Sequence, residues 1–356
     1  MKKLFILSLS LLALASCSDD DSSVSGPEPI SEGTVFGDAA NPLGIGGPNQ
    51  QNQVYVDLSG EDAAPTARDS WELGFYSGND FRVVLNNSLG MAVKRLGTSD
   101  ITAPVAEDPS VAVGTFQSSN MAYVDNPTGE FSNTAFGAIA ADEASAKVYL
   151  VNLGFSIPTT MPDPGSANTA GPIRGWKKVK VWKDGDGYKL QHADIDATTA
   201  TTVTITKDPA YNHVFFSLVN GATVTVEPQK DQWDLNFTTF TNEVFDNDGV
   251  SAGAYFYSDF IVINKKGGVS AVMVEGDTAA YQAMTLASFQ AGGHMLDTDQ
   301  RAIGDKWRNV FDKAVYDDVF FVVKDAAGNH YKVKFISMLN ADGHRGFPMF
   351  QYALLQ

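Results

Sequence analysis

Asp231-Gln232-Trp233-Asp234-Leu235-Asn236-Phe237 decides the fold, because the chain carries this pattern twice. The other copy is Asp69-Ser70-Trp71-Glu72-Leu73-Gly74-Phe75, and the two share the core D-x-W-[DE]-L-x-F. An apolar alternation and a turn precede each copy. They are Val54-Tyr55-Val56-Asp57-Leu58 before the first and Val214-Phe215-Phe216-Ser217-Leu218 before the second, with spacings that agree within two residues. Period-two alternation sets Trp, Leu and Phe on one buried face and points the acidic residue to the other. Agreement in motif, preceding strand and spacing predicts two related β units.

Outward from the motif, short apolar alternations separated by Gly, Pro, Asn and Asp give the pattern of an all-β protein built of antiparallel sheets. Strands are expected at 54–58, 81–85, 147–152, 177–182, 188–192, 202–206, 213–219, 223–226, 255–262, 319–324 and 331–336. Asp184-Gly185-Asp186-Gly187 and Asp325-Ala326-Ala327-Gly328-Asn329 read as hairpin turns. Helical periodicity is scarce, and short helices are expected only near 277–289 and 299–309. The Pro- and Gly-rich stretch 157–175 is the expected boundary. It divides the body into an N-terminal β unit at 34–160, a linker at 161–175 and a second β domain at 176–356.

The N-terminus reads as an address. Lys2 and Lys3 precede an apolar stretch, Leu4 to Leu14, too short to span a bilayer as a helix, and Leu14-Ala15-Ser16-Cys17 has the form of a bacterial lipobox. Residues 1–16 are therefore expected to be a lipoprotein signal peptide, and Cys17 the acylated new N-terminus carrying diacylglycerol and palmitate-type chains. Ser18-Asp19-Asp20-Asp21-Ser22-Ser23 then opens an acidic, flexible tether over 17–33. Such a tract resembles the export signal behind the lipidated cysteine of lipoproteins on the outer face of the outer membrane, and it serves equally as a hydrophilic spacer.

Composition narrows the function. The 356 residues are 44% hydrophobic and 11% aromatic, enough for one large or two medium cores. A formal charge of −17 disfavours nucleic acid, whose phosphates need a basic face. Cys17 is the only cysteine, so with its thiol acylated the body has no disulfide and no thiolate metal site.

Catalytic constellations are lacking. Gly249-Val250-Ser251-Ala252-Gly253 fits G-x-S-x-G, but Asp246-Asn247-Asp248 before it and Ala254-Tyr255-Phe256-Tyr257 after it are not the strand and helix of a nucleophile elbow. The turns at Asp184 to Gly187 and Asp246 to Gly249 lack the spacing of a calcium loop. His192, Asp194 and Asp196 would share one strand face, which suits a divalent metal or a plain exposed edge. No catalytic residue and no metal site is expected. His294-Met295, behind Gly292-Gly293, brings two iron-ligand types together in a loop, whereas Met273 lies in the apolar run Val272-Met273-Val274, where packing also explains it.

The second copy of the motif, the strand and turn from Val214 to Glu227 and the C-terminal run from Phe320 to Phe335 resemble the HmuY family. The resemblance is strongest over 176–356, and the first half is similar to the extension of larger members. It implies a mostly β surface lipoprotein that captures haem without catalysis and hands it to a TonB-dependent outer-membrane receptor. Trp71, Trp233, Asp234 and Phe237 would then be structural. Well-studied members hold the iron with two histidines and relatives with methionines, placed after the W-D-[IL]-x-F strand. Here that strand runs into Thr238-Thr239-Phe240-Thr241, which has no strong iron donor, so Met273, His294 and Met295 are the haem-ligand candidates. A surface glycan- or peptide-binding module using Trp176, Trp182 or Tyr255 is the alternative expectation.

Overall fold

The computed structural model describes residues 33–356. Residues 1–32, with the signal segment, Cys17 and nearly all of the tether, lie outside the described residues. The chain is mostly β, with antiparallel sheets and only short helices.

The strand order repeats. The first round contains β1 (Thr34–Phe36), β2 (Asn52–Asp57), β3 (Asp62–Ala67), β4 (Leu73–Tyr76), β5 (Val83–Leu85), β6 (Ala92–Arg95), β7 (Val148–Asn152), β8 (Trp176–Asp184) and β9 (Gly187–Asp194). The second contains β10 (Thr201–Ile205), β11 (His213–Ser217), β12 (Ala222–Val224), β13 (Leu235–Phe245), β14 (Ser251–Ile263) and β15 (Ser270–Glu275). It continues through α1 (Thr278–Ala283), α2 (Leu286–Ala291), the small pair β16 (Arg308–Asn309) and β17 (Ala314–Val315), β18 (Val319–Lys324), β19 (His330–Leu339) and β20 (Arg345–Leu354).

The two rounds exchange their first three strands. One sandwich packs the sheet β14-β13-β2-β3 on β1-β20-β19-β18-β15, and the other packs β12-β11-β4-β5 on β10-β9-β8-β7-β6. Thus β1 to β3 complete the second round, and β10 to β12 complete the first. The registers match across the exchange. Leu235 of the second motif faces Val56, and Leu73 of the first faces Phe216, the residue equivalent to Val56. Each sandwich buries its own core, with Val54, Leu235, Phe237, Phe321 and Phe350 in one and Leu73, Phe75, Tyr188 and Phe216 in the other.

The repeated motif lies where the chain crosses between sandwiches. Glu72 and Asp234 are buried, and each carboxylate accepts from the other round's arm. Asp234 Oδ2 takes the Leu58 N–H at 2.9 Å, and Glu72 Oε2 takes the Leu218 N–H at 2.6 Å. Two equivalent asparagines brace the crossings from behind. The Asn86 amide donates to the Trp71 carbonyl, and the Asn264 amide to the Trp233 carbonyl, both at 2.8 Å.

Several expectations change in detail. The tryptophans do not share the face of the Leu and Phe that follow them. Both precede the strand proper, and together they pack with Tyr55 and Phe215 in a separate cluster at the crossing. The stretch 161–175 joins neighbours of one sheet, because β7 and β8 pair from Val148↔Lys180 to Asn152↔Trp176. Arg174 at its end pairs with Glu72 at 2.5 Å. Residues 299–309 form no helix. Asp299 caps a turn at Arg301, and Gly304, at φ +59°, exchanges backbone hydrogen bonds with Ile261. The 277–289 region does become α1 and α2, with the Thr285 capping box opening the second.

The two carboxylates should differ in weight. Asp234→Ala strands the buried Leu58 N–H, with an expected loss of about 1–3 kcal/mol. Glu72→Ala strands the Leu218 N–H and also leaves Arg174 without its buried counter-charge, so about 3–5 kcal/mol is expected. Urea unfolding of the two variants checks the order, and equal losses would contradict the role given to Arg174.

Candidate functional site

The structure leaves Met273 and Met295 exposed and sets His294 against an aromatic ring. Met273 alternates on β15 with Val272 and Val274, which turn toward α1, α2 and Phe320, so its side chain leaves the sheet on the opposite face. Residue 297 forms an antiparallel bridge with Ala271 at the free edge of β15. The bridge is isolated and is not continued to residues 273 and 295, which make no backbone hydrogen bond with each other. Leu296, next to Met295, packs against the cluster under the helices. Both thioethers reach solvent, at 38% and 84% exposure. His294 goes elsewhere, its ring stacked on Phe289 at 5.3 Å and 8°.

The remaining motifs settle into structural places. Ser251 opens β14, and its hydroxyl accepts from the Gly253 N–H at 3.3 Å inside a hairpin whose turn Asp246 caps. His192 is half-buried with its ring 5.4 Å from Phe216, while Asp194 pairs with Lys177 at 2.5 Å. No cluster of three or more His, Cys, Asp or Glu suited to a metal occurs among the described residues. Trp182 is buried and Trp176 half-buried, so neither offers an open platform. Tyr255 is exposed, in a row with Phe116 at 5.7 Å and Tyr257 at 5.4 Å.

A cavity of about 150 Å³ lies where the two crossings run side by side. Trp71 and Trp233 line it, each indole in edge contact with a ring of the other round's arm. Trp71 meets Phe215 at 4.6 Å, and Trp233 meets Tyr55 at 4.9 Å. Gln53 and His213 occupy equivalent positions, one residue before Val54 and Val214, and both line the cavity. That equivalence is visible in the aligned motif copies, although it gives no hint that both residues face inward. Asn126, Gly129, Glu130, Phe131 and Thr134 supply part of its wall. Gln300 donates to the Pro127 carbonyl at 2.8 Å, Lys265 pairs with Glu130, and Lys266 sits 3.3 Å from the Phe131 ring centre. The volume is well below the roughly 300–1,000 Å³ of sites for drug-sized ligands, so a tetrapyrrole does not fit it.

With this geometry in place, comparison with known proteins gives one match. A family model described as HmuY protein matches residues 49–206 and 210–352. Both strand rounds are included, so the first half is matched in its own right and is more than an extension. The break at 206/210 falls between β10 and β11. No curated protein and no solved structure matches the chain.

Burial sets the electrostatics of the cavity. His213 is pushed down to about 3 by burial and by the Lys266 charge, so its imidazole is neutral. Burial pushes Glu227, whose carboxyl oxygen accepts the backbone N–H of His213 at 2.8 Å, from the usual 4.5 up to about 8. A carboxyl raised by folding binds its proton more tightly in the folded chain. Its contribution is full below about 4.5 and is lost as pH rises through about 8. Glu227→Gln keeps the shape and has no proton to lose. It should gain stability relative to the native chain between pH 4.5 and 8. Urea unfolding across that range measures the difference, and a difference that does not change with pH would remove Glu227 from this role.

Proposed function

This chain belongs to the HmuY family, and we propose from that premise that it captures haem or a related porphyrin at the cell surface for iron acquisition, without catalysis. The observation that carries the proposal is the family match over both rounds of strands. Cys17 anchors the chain by its lipid in the outer membrane, and the acidic tether holds the folded body at the outer face. Delivery is to a TonB-dependent receptor. No helix among the described residues is long and apolar enough to cross a membrane, which is compatible with a lipid anchor.

Met273 and Met295 are the proposed iron donors. Thioether sulfur is a soft axial ligand for haem iron, and the bridge between residues 271 and 297 ties the loop that carries Met295 to the edge strand that carries Met273. Their exposure leaves room for a large planar ligand at the sheet edge, which the seam cavity lacks. His294 contributes less, because its ring is engaged with Phe289.

Haemin titrated into the protein should give a shifted Soret band. The double variant Met273→Ala, Met295→Ala should lose that band while keeping the native melting curve, since both side chains are exposed. His294→Ala should retain it. A spectrum equal to free haemin plus protein would end the haem proposal.

A further inference from the structure

The four larger sheets end in eight edge strands, and seven of them are guarded against pairing with another chain. β1, β5 and β12 have three residues each, too few to template a partner. β6 has four and ends in Lys94 and Arg95, and β3 carries Pro65. The free sides of β14 and β15 are met by backbone of the same chain, through the bridges Ile261↔Gly304 and Ala271↔Asp297. That leaves β10, the outer strand of the sheet β10-β9-β8-β7-β6.

β10 has none of these devices. Its five residues, Thr201 to Ile205, pair with β9 in one unbroken register, without a bulge. They lie within the run Thr198 to Thr206, where eight of nine residues are β-branched and none is charged, Gly or Pro. Among the described residues, every hydrogen bond to 201–205 comes from β9, so the backbone groups on the other side have no partner in the chain. Thr201, Thr202 and Thr204 are exposed. Val203 leans on the core that buries Ile205, yet it is only half-buried.

An edge of this kind is a template for another strand, and its own composition identifies the strand that fits. Antiparallel pairing with the β10 of a second copy, at full overlap, sets Val203 opposite the second copy's Val203 on a twofold axis. Thr202 of each copy then meets Thr204 of the other. Thr202-Val203-Thr204 reads the same in both directions, so each residue meets its like. The threonines pair on the outer face, where Gln191 and Lys189 reach them, and the valines cover each other on the inner face. Charge points to the same occupant. Two copies of a chain with a formal −17 repel over most of their surface and approach most easily at a strand with no ionisable group. Lys189, which flanks β10 from β9, would stand three strand spacings from its copy, about 14 Å, which exceeds the Debye length of about 8 Å. Lys207, just beyond the strand, turns back to the carbonyls of Gly78 and Asp80.

We propose that this chain pairs with a second copy of itself through β10, antiparallel about Val203, and so joins two five-stranded sheets into one of ten strands. One partner fills each free edge, so association stops at two copies. Contact over five residues is small, which makes the pairing weak and dependent on concentration. It is independent of haem capture.

Sedimentation velocity of the full-length protein across the micromolar range tests the proposal. The sedimenting mass should rise from one copy to two with concentration, and more readily at high salt, which screens the −17 charge. Thr202→Glu with Thr204→Glu sets like charges opposite each other and should weaken the pairing by about tenfold. The melting curve of the single copy should stay as it is, because both side chains are exposed. Thr202→Lys with Thr204→Glu, which sets opposite charges at the same places, should restore the pairing. Val203→Cys in a chain with Cys17→Ser should form an intermolecular disulfide on mild oxidation, since directly opposed strand residues have the Cα separation of a disulfide, and it serves if the charged variants do not fold. One copy at every concentration, a species larger than two copies, or a dimer indifferent to the paired glutamates would overturn the proposal.

Discussion

Two buried carboxylates, Glu72 and Asp234, each hold a backbone N–H that arrives from the other half of the chain. This reciprocal grip is the constraint on which the architecture depends. A sandwich must cover both faces of its core, and neither round of strands keeps the arm that would complete its own four-stranded sheet. Removing either arm would expose the other round's core, Val54 and Val56 covering Leu235 and Phe237, or Phe216 covering Leu73. The chain therefore folds as two interlocked sandwiches. The exchange also fixes where the crossings lie, and two crossings side by side, each carrying an indole, leave the seam that neither core fills.

Duplication made the frame symmetric, and divergence made its sites. Gln53 and His213 are equivalent, yet one is an amide and the other an imidazole held neutral by burial. The first round's β4 and β5 have four and three residues, whereas the second round's β13 and β14 have eleven and thirteen. That longer hairpin carries Tyr255 and Tyr257 outward. Between β15 and β18 the second round carries α1, α2 and the loop with Met295, and the first round has no α-helix between β6 and β7. Arg68, fully buried, gathers Asn49, Gln50, Ser88, Thr169 and Thr239 at the seam through backbone carbonyls and one hydroxyl, without a carboxylate partner. Burial lowers its pKa to about 10, which leaves it charged at neutral pH.

Much of the strand pattern was legible because local alternation and turn chemistry decide it. Val319–Lys324 occurs as read, and Asp325 closes the following turn by accepting from the Asn329 N–H, as the Gly and Asn of that turn suggest. The readings that missed depended on distant partners. Residues 299–309 carry a weak helical pattern, but they form a run of turns that backbone pairing of Gly304 with Ile261 ties to β14. Arg345–Leu354 lacks a strand signal because Gly346 and Pro348 interrupt its alternation, and it is nonetheless a ten-residue strand between β1 and β19. The Pro- and Gly-rich stretch 157–175 looks like a boundary by composition. It is a loop between paired strands, and composition cannot tell the two apart.

By itself the sequence determined the all-β class, the internal repeat and the family resemblance, since period, spacing and motif are properties of neighbouring residues. It also marked Trp71 and Trp233 as equivalent. Tertiary structure decided which half each arm completes, because pairing between strands some 180 residues apart leaves no local trace in either strand. It decided too that Met273 and Met295 reach solvent while His294 stacks on Phe289, and that Gln53, Trp71, His213 and Trp233 converge on one cavity. Convergence of that kind is a property of the exchange, which the chain acquires only when both crossings are made.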